Sequence, residues 1–320
     1  MSLPLTVIGG YLGAGKTTLL NRMLTGDHGR RIAVIINDFG ELNVDARLIA
    51  DHAGDTISLS NGCMCCSASD GTAEAIARIL KRKDEFDHIV IEASGVAEPG
   101  KVARNATGFH LPLDGVIVLA DAEQLPHQAV NRYTGRSVIA QLQQADLIVL
   151  NKIDLVGPER LAETRELIAR HAKGASVLLS ERADLPYAVL FGARPPERLD
   201  QDPAGPDLEA HHAADYAAGL VERGPMTREE FEALARDLSS RTVRAKGHVV
   251  LRNVGEVRHL YQQVGSRWTL VADGTWQGAE PATRIVTITV RGTAHDHHCQ
   301  SAPHIDPGLE CTPEGGRVAG

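Results

Sequence analysis

The stretch Gly9-Gly10-Tyr11-Leu12-Gly13-Ala14-Gly15-Lys16-Thr17-Thr18 decides the fold. From Gly10 to Thr17 it reads G-x-x-x-x-G-K-T, and it stands between an apolar run, Leu5–Ile8, and a segment with helical spacing, Thr17–Leu24. Strand, glycine turn and helix in that order form a phosphate cradle. The glycines let backbone N–H groups turn inward, and the helix N-terminus adds its positive end. Gly10, Gly13, Ala14, Gly15 and Thr18 supply the backbone of the cradle. Lys16 is placed to reach the β- and γ-phosphates, and the Thr17 hydroxyl is placed to hold Mg²⁺.

Outward from the cradle, short apolar runs alternate with helical patterns. Ile32–Ile36, Ile89–Ile91, Val116–Leu119, Leu147–Leu150 and Ser176–Leu179 read as strands, and Ala73–Leu80 and Leu161–His171 as helices. The strands are continuously apolar, which predicts a mostly parallel α/β sheet covered on both faces. The composition then shifts. Residues 193–225 carry five prolines with glycine and aspartate and read as a linker or surface loop. Beyond it, Thr227 caps a helix over Arg228–Leu238, and strands are expected at Gly247–Leu251, Trp268–Val271 and Ile285–Val290. The expected division is a nucleotide domain over 1–192, a linker over 193–225, a smaller α+β domain over 226–292, and a disordered histidine-containing tail over 293–320.

Two segments refine the nucleotide chemistry. Asn151-Lys152-Ile153-Asp154 directly follows an apolar strand. An aspartate there accepts hydrogen bonds from the N1–H and amino group of guanine, which adenine cannot supply, so GTP is expected over ATP. Ile89-Val90-Ile91-Glu92-Ala93-Ser94-Gly95 runs from a strand into a glycine turn. Glu92 is placed to act in the Mg²⁺ shell or to position water, and Gly95 to sense the γ-phosphate. A small-molecule kinase is the competing phosphate chemistry, and Asn151–Asp154 speaks against it.

The sequence carries five cysteines, and Cys63, Cys65 and Cys66 lie within four residues. Disulfides between such close neighbours are unfavourable, whereas thiolates suit Zn²⁺ and related soft ions. Two thiolates with a ligand from elsewhere make a reasonable set, and Glu41 in Asn37-Asp38-Phe39-Gly40-Glu41 is one candidate partner. The alternative is a regulatory GTPase switch or protein-interaction module in which the cysteines are structural.

Taken in order, GGYLGAGKTT, NDFGE, GCMCC, IEASG and NKID resemble the CobW-type family of metal-trafficking GTPases. Arg244-Ala-Lys246-Gly247, Trp268 and Arg284–Val290 are similar to that family's C-terminal domain. The resemblance implies a GTPase that carries a transition metal, with zinc favoured and cobalt or iron as alternatives, and delivers it to a client protein. It also implies that Cys65 and Cys66, with Glu41 or Cys63, hold the metal beside the switch. The chain departs from the family at Asp38, where a glutamate is usual, and in its sparse histidines, chiefly His211–His212 and His295–Cys299.

The formal net charge of −8, with basic residues scattered, argues against a nucleic-acid partner. The longest apolar runs are too short for a bilayer, so no membrane partner is expected. The chain reads as cytoplasmic, and a homo-oligomer is compatible with it.

Overall fold

The structure is a computed structural model that describes residues 3–36, 49–53, 56–59, 63–67, 71–192, 212, 214–276 and 281–291. Its first layer is a nine-stranded sheet in the order β3-β4-β5-β2-β6-β1-β7-β8-β9. The central pairs are parallel: β1 (Leu5–Gly10) lies between β6 (His88–Glu92) and β7 (Leu113–Asp121), and β2 (Ile32–Ile36) lies between β6 and β5 (Met64–Ser67). β8 (Leu147–Asn151) and β9 (Ser176–Ser180) extend the same direction, while β3 (Ile49–Ala53) and β4 (Thr56–Leu59) add an antiparallel hairpin at the far edge.

The continuous apolar runs are buried on both faces, as parallel strands under crossover helices must be. Val34, Ile36, Ile8 and Ile117 pack beneath α1 (Lys16–Thr25) and α7 (Tyr187–Phe191). On the opposite face, Val7, Val118 and Ile148 meet α3 (Pro99–Thr107), α5 (Gly135–Gln143) and α6 (Pro158–His171). On that same side Ala33, Ile35 and Ile89 meet α2 (Thr72–Leu80). The short α4 (Leu125–Val130) precedes α5.

The second layer is a five-stranded antiparallel sheet in the order β10-β14-β11-β12-β13. It comprises β10 (Tyr216–Arg223), β11 (Arg244–Val249), β12 (Val257–Val264), β13 (Arg267–Thr275) and β14 (Thr283–Val290), with α8 (Arg228–Arg241) against one face. Thr227 accepts from the Glu230 N–H at 3.1 Å while Glu230 accepts from the Thr227 N–H at 2.7 Å, so the expected cap is a full capping box.

Here the structure corrects the sequence reading. Tyr216–Arg223, assigned to the linker, is a full strand paired along its length with β14. Leu220 and Val221 sit among prolines and glycines in sequence, and only their pairing with Val286 and Ile285 makes the segment β. The supposed tail over 293–320 and most of the linker lie outside the described residues.

The other face of the small sheet docks on the first domain. Val264, Val286 and Ile288 join the same core as Leu147 and Leu178. At this junction the buried Arg244 pairs with the buried Asp114 at the start of β7, and Gln262 donates to the same carboxylate at 3.1 Å. Arg267 binds Asp146 at 2.9 Å and the Asp114 carbonyl at 2.9 Å.

Candidate functional site

The C-terminal ends of the parallel strands converge on the cradle. Gly15, the N-cap of α1, has φ 107°, and a Cβ there would collide with the Asn151 side-chain amide. Only glycine therefore lets Asn151 come this close. α1 starts at the end of the loop with no side-chain cap at Gly15, the helix-terminus arrangement that suits a phosphate. Lys16 is 8% exposed and folds back over the loop, donating to the Gly10 carbonyl at 2.9 Å. Gly13 has φ 80° and open space where a Cβ would stand.

Asn151, expected as part of a base-recognition segment, has a distinct job. Its Nδ2 donates to the Ala14 carbonyl at 3.0 Å, and its Oδ1 accepts from the Ala183 N–H at 2.8 Å. One buried amide thus ties the cradle to the loop after β9. Lys152 sits in the left-handed region at φ 62°, a conformation that bulky residues rarely adopt without a functional demand. Its Nζ meets Asp121 at 2.7 Å, while the other oxygen of Asp121 accepts from the Glu123 and Gln124 N–H groups. Asp154 follows in a 3-10 turn and is exposed.

Glu92 ends β6 beside Ile8, two residues before Gly10. A carboxylate there and the Thr17 hydroxyl at the start of α1 are hard oxygen donors, which suits Mg²⁺. After Glu92 the chain turns, with the Ala97 N–H bonded to the Ser94 carbonyl at 2.9 Å. Gly95 is buried under Leu12 of the cradle, whose side chain would be struck by any Cβ at Gly95.

The cysteines are arranged differently from the expectation. Cys65 and Cys66 lie in β5 with Cys63 immediately before it, and side chains alternate along the strand. Cys63 and Cys65 pack with Val34 and Val90 on the α1 side, whereas Cys66 packs with Met64 and Ile35 on the α2 side. All three are no more than 1% exposed. The Cys63 sulfur accepts from the Ile32 N–H at 3.3 Å and donates to the Arg30 carbonyl at 3.5 Å, which makes it a satisfied thiol. Burial pushes the Cys65 thiol far up and raises Cys63 and Cys66 as well. Among the described residues no three His, Cys, Asp or Glu side chains converge as a metal site. Glu41, Asp38, His211 and His295–Cys299 lie outside the described residues.

The sequence reading missed Asp121, Ala183 and Gln141. Asp121 left a trace, an acid ending the apolar run Val116–Ala120; Ala183 and Gln141 left none.

The first domain, over residues 4–179, matches the CobW/HypB/UreG nucleotide-binding domain, and residues 218–298 match the cobalamin synthesis protein cobW C-terminal domain. The chain belongs to the CobW family of P-loop GTPases. It is 33% identical to the zinc chaperone YjiA of Escherichia coli K12 over 89% of this chain and 93% of that protein. It is 31% identical to the zinc chaperone CobW of Sinorhizobium sp. over 89% of this chain and 92% of the relative. The crystal structure of Zn(II)-bound YjiA GTPase superposes with a TM-score of 0.50 at 31% identity, covering 91% of this chain and 95% of the other. The family resemblance and the two-sheet CobW architecture expected from sequence are both borne out. Among the described residues no helix is long and apolar enough to cross a membrane.

Proposed function

We propose that this chain is a GTP-hydrolysing metallochaperone of the cytoplasm that carries zinc as cargo and releases it to a metal-requiring client protein under nucleotide control. GTP is the substrate. Asp154 reads its base, with Lys152 held by Asp121, and Lys16 leaves the Gly10 carbonyl for the β- and γ-phosphates. Thr17, with Glu92 in the outer shell, would hold Mg²⁺, which would supply charge neutralisation at the phosphates. Gly95 lies at the turn where a γ-phosphate is felt.

The observation that carries this reading is the position of β2. One edge pairs with β6, which leads into Glu92 and Gly95; the other pairs with β5, where Val34 opposes Cys65 and Ile35 opposes Cys66. The chain leaves β2 straight into Asn37–Asp45, the segment that carries Glu41. A change at the phosphate end and a change at the thiols therefore share one strand and its exit. Cys65 and Cys66 face opposite sides of the sheet in this conformation, so gathering both around one ion with Glu41 requires β5 to be remodelled. Cys63 stays as the packed thiol that anchors the start of the strand. A contact of GTP with the Asn37–Asp45 segment supplies the differential interaction that such remodelling needs.

Zinc affinity is accordingly expected to differ by tenfold or more between the GTPγS- and GDP-loaded protein, a coupling of roughly 1.4 kcal/mol. Competition with a chromophoric chelator measures it, and equal affinities in the two states would sink the reading. The rival with purely structural cysteines predicts that Cys65→Ser/Cys66→Ser leaves zinc content unchanged; the metallochaperone reading predicts its loss.

A further inference from the structure

The geometry points to Gln141 as a positioning residue for GTP hydrolysis, clamping the phosphate-sensing turn after β6 so that Gly95 stays within reach of the γ-phosphate. This rests on the reading of Gly95 given above. Gln141 stands on α5 and is 2% exposed. Its Nε2 carries two hydrogens, which go to the Gly95 carbonyl at 3.0 Å and the Ala97 carbonyl at 2.9 Å. The carbonyl between them, that of Val96, accepts from Ser137 Oγ at 3.2 Å. One helical turn further on, Gln144 accepts from the Gly100 N–H at 2.8 Å and donates to Glu98 at 3.2 Å.

Ser137, Gln141 and Gln144 are spaced i, i+4, i+7, so they form a single stripe along the helix. The residues between them, Val138 and Leu142, are fixed in the core below β7 and β8. The stripe is therefore carried on an anchored rod, and it grips consecutive carbonyls of the turn. Its two bonds hold the Gly95–Val96 and Ala97–Glu98 peptide planes, and Ser137 holds the Val96–Ala97 plane between them. A turn held in this way cannot rotate the Gly95–Val96 plane without leaving the buried Gly95 carbonyl unpaired, the costly half of hydrogen-bond energetics. Gly95 is in turn pressed between this clamp and Leu12 of the cradle. None of these groups touches the guanine-recognition segment, so the clamp bears on the γ-phosphate and not on the base.

The test compares wild type with Gln141→Leu, which keeps the bulk and removes both donors, and with Ser137→Ala, which removes only the Val96 tie. GDP and GTPγS affinities and the hydrolysis rate are measured on the full chain, with thermal melting as the folding control. Gln141→Leu is expected to keep GDP affinity, to lose GTPγS affinity relative to GDP, and to lower kcat by about tenfold, equivalent to ~1.4 kcal/mol. Ser137→Ala is expected to move the same quantities the same way by roughly two- to threefold, and it carries the test should Gln141→Leu not fold. A wild-type GTPγS-to-GDP ratio and kcat in a folded variant, even one that melts lower, overturns the proposal, as does an equal fall in both affinities. Gly95→Ala separates the two ideas. If it keeps the wild-type ratio, the sensing role of Gly95 fails and the clamp loses its purpose; if it loses the ratio while Gln141→Leu keeps it, only the role of Gln141 fails.

Discussion

Asn151 joins two walls of the site through a single side chain. Its amide has one donor on the cradle and one acceptor on the loop after β9, and both bonds are buried. Removing it leaves the Ala14 carbonyl and the Ala183 N–H without partners and loosens two walls of the site at once. Asn151→Ala is therefore expected to weaken GDP and GTPγS equally, by one to two orders of magnitude for about 1–3 kcal/mol, with kcat at saturation little changed. Equilibrium titration with a fluorescent guanine nucleotide checks this. The motif around Asn151 was legible in sequence because strand, Asn-Lys-x-Asp and cradle come in fixed order. What its side chain binds was not legible, because Ala14 and Ala183 approach it only after β1, β8 and β9 are aligned.

At the scale of elements, the same glycine-and-period logic worked where local chemistry dominates and failed where pairing does. α8 is decided locally: the Thr227–Glu230 capping box starts it, and Phe231, Ala235 and Leu238 supply a buried stripe at helical spacing. Thr227→Ala is expected to cost about 1 kcal/mol and to lower the melting temperature by a few degrees without touching nucleotide affinity. Calorimetry on the full chain reads both. β5 is the opposite case. Its four residues, Met64 to Ser67, have no alternation of polar and apolar side chains to announce a strand. The segment becomes one because β2 and β4 offer hydrogen-bonding edges on either side. That pairing also sends Cys65 and Cys66 to opposite faces, which no spacing rule for metal ligands anticipates.

At the scale of the whole molecule, the two sheets are joined through buried charge. Arg244 and Asp114 are paired at the junction, with His88 3.8 Å from the same carboxylate and bonded to Thr6 at 2.8 Å. Burial works to raise the Asp114 carboxyl, but Arg244, with Lys246, outweighs it and holds the group below the usual carboxylate range. Burial, helped by the neighbouring Lys246, Arg30 and Arg244 charges, pushes His88 down to about 3. His88 thus stays neutral when folded and protonates in the unfolded chain below about pH 6.5, so the unfolded state binds the extra proton between about 6.5 and 3. Stability should fall as the pH drops through that window, by up to about 1.4 kcal/mol per pH unit from this group. Urea melts between pH 8 and 5 measure the slope. His88→Gln, which can retain the bond to Thr6, should flatten it. The cradle, the Asn151–Asp154 turn after β8, the α/β sheet and the helix of the second domain were legible along the chain, because each rests on neighbours in the chain. Only the tertiary structure decided that Tyr216–Arg223 is a strand, that the cysteines are split between two faces of a sheet, and that Gln141 grips the turn at Gly95. Each of these depends on a partner supplied from elsewhere in the fold, and a periodicity read along the chain carries no record of that partner.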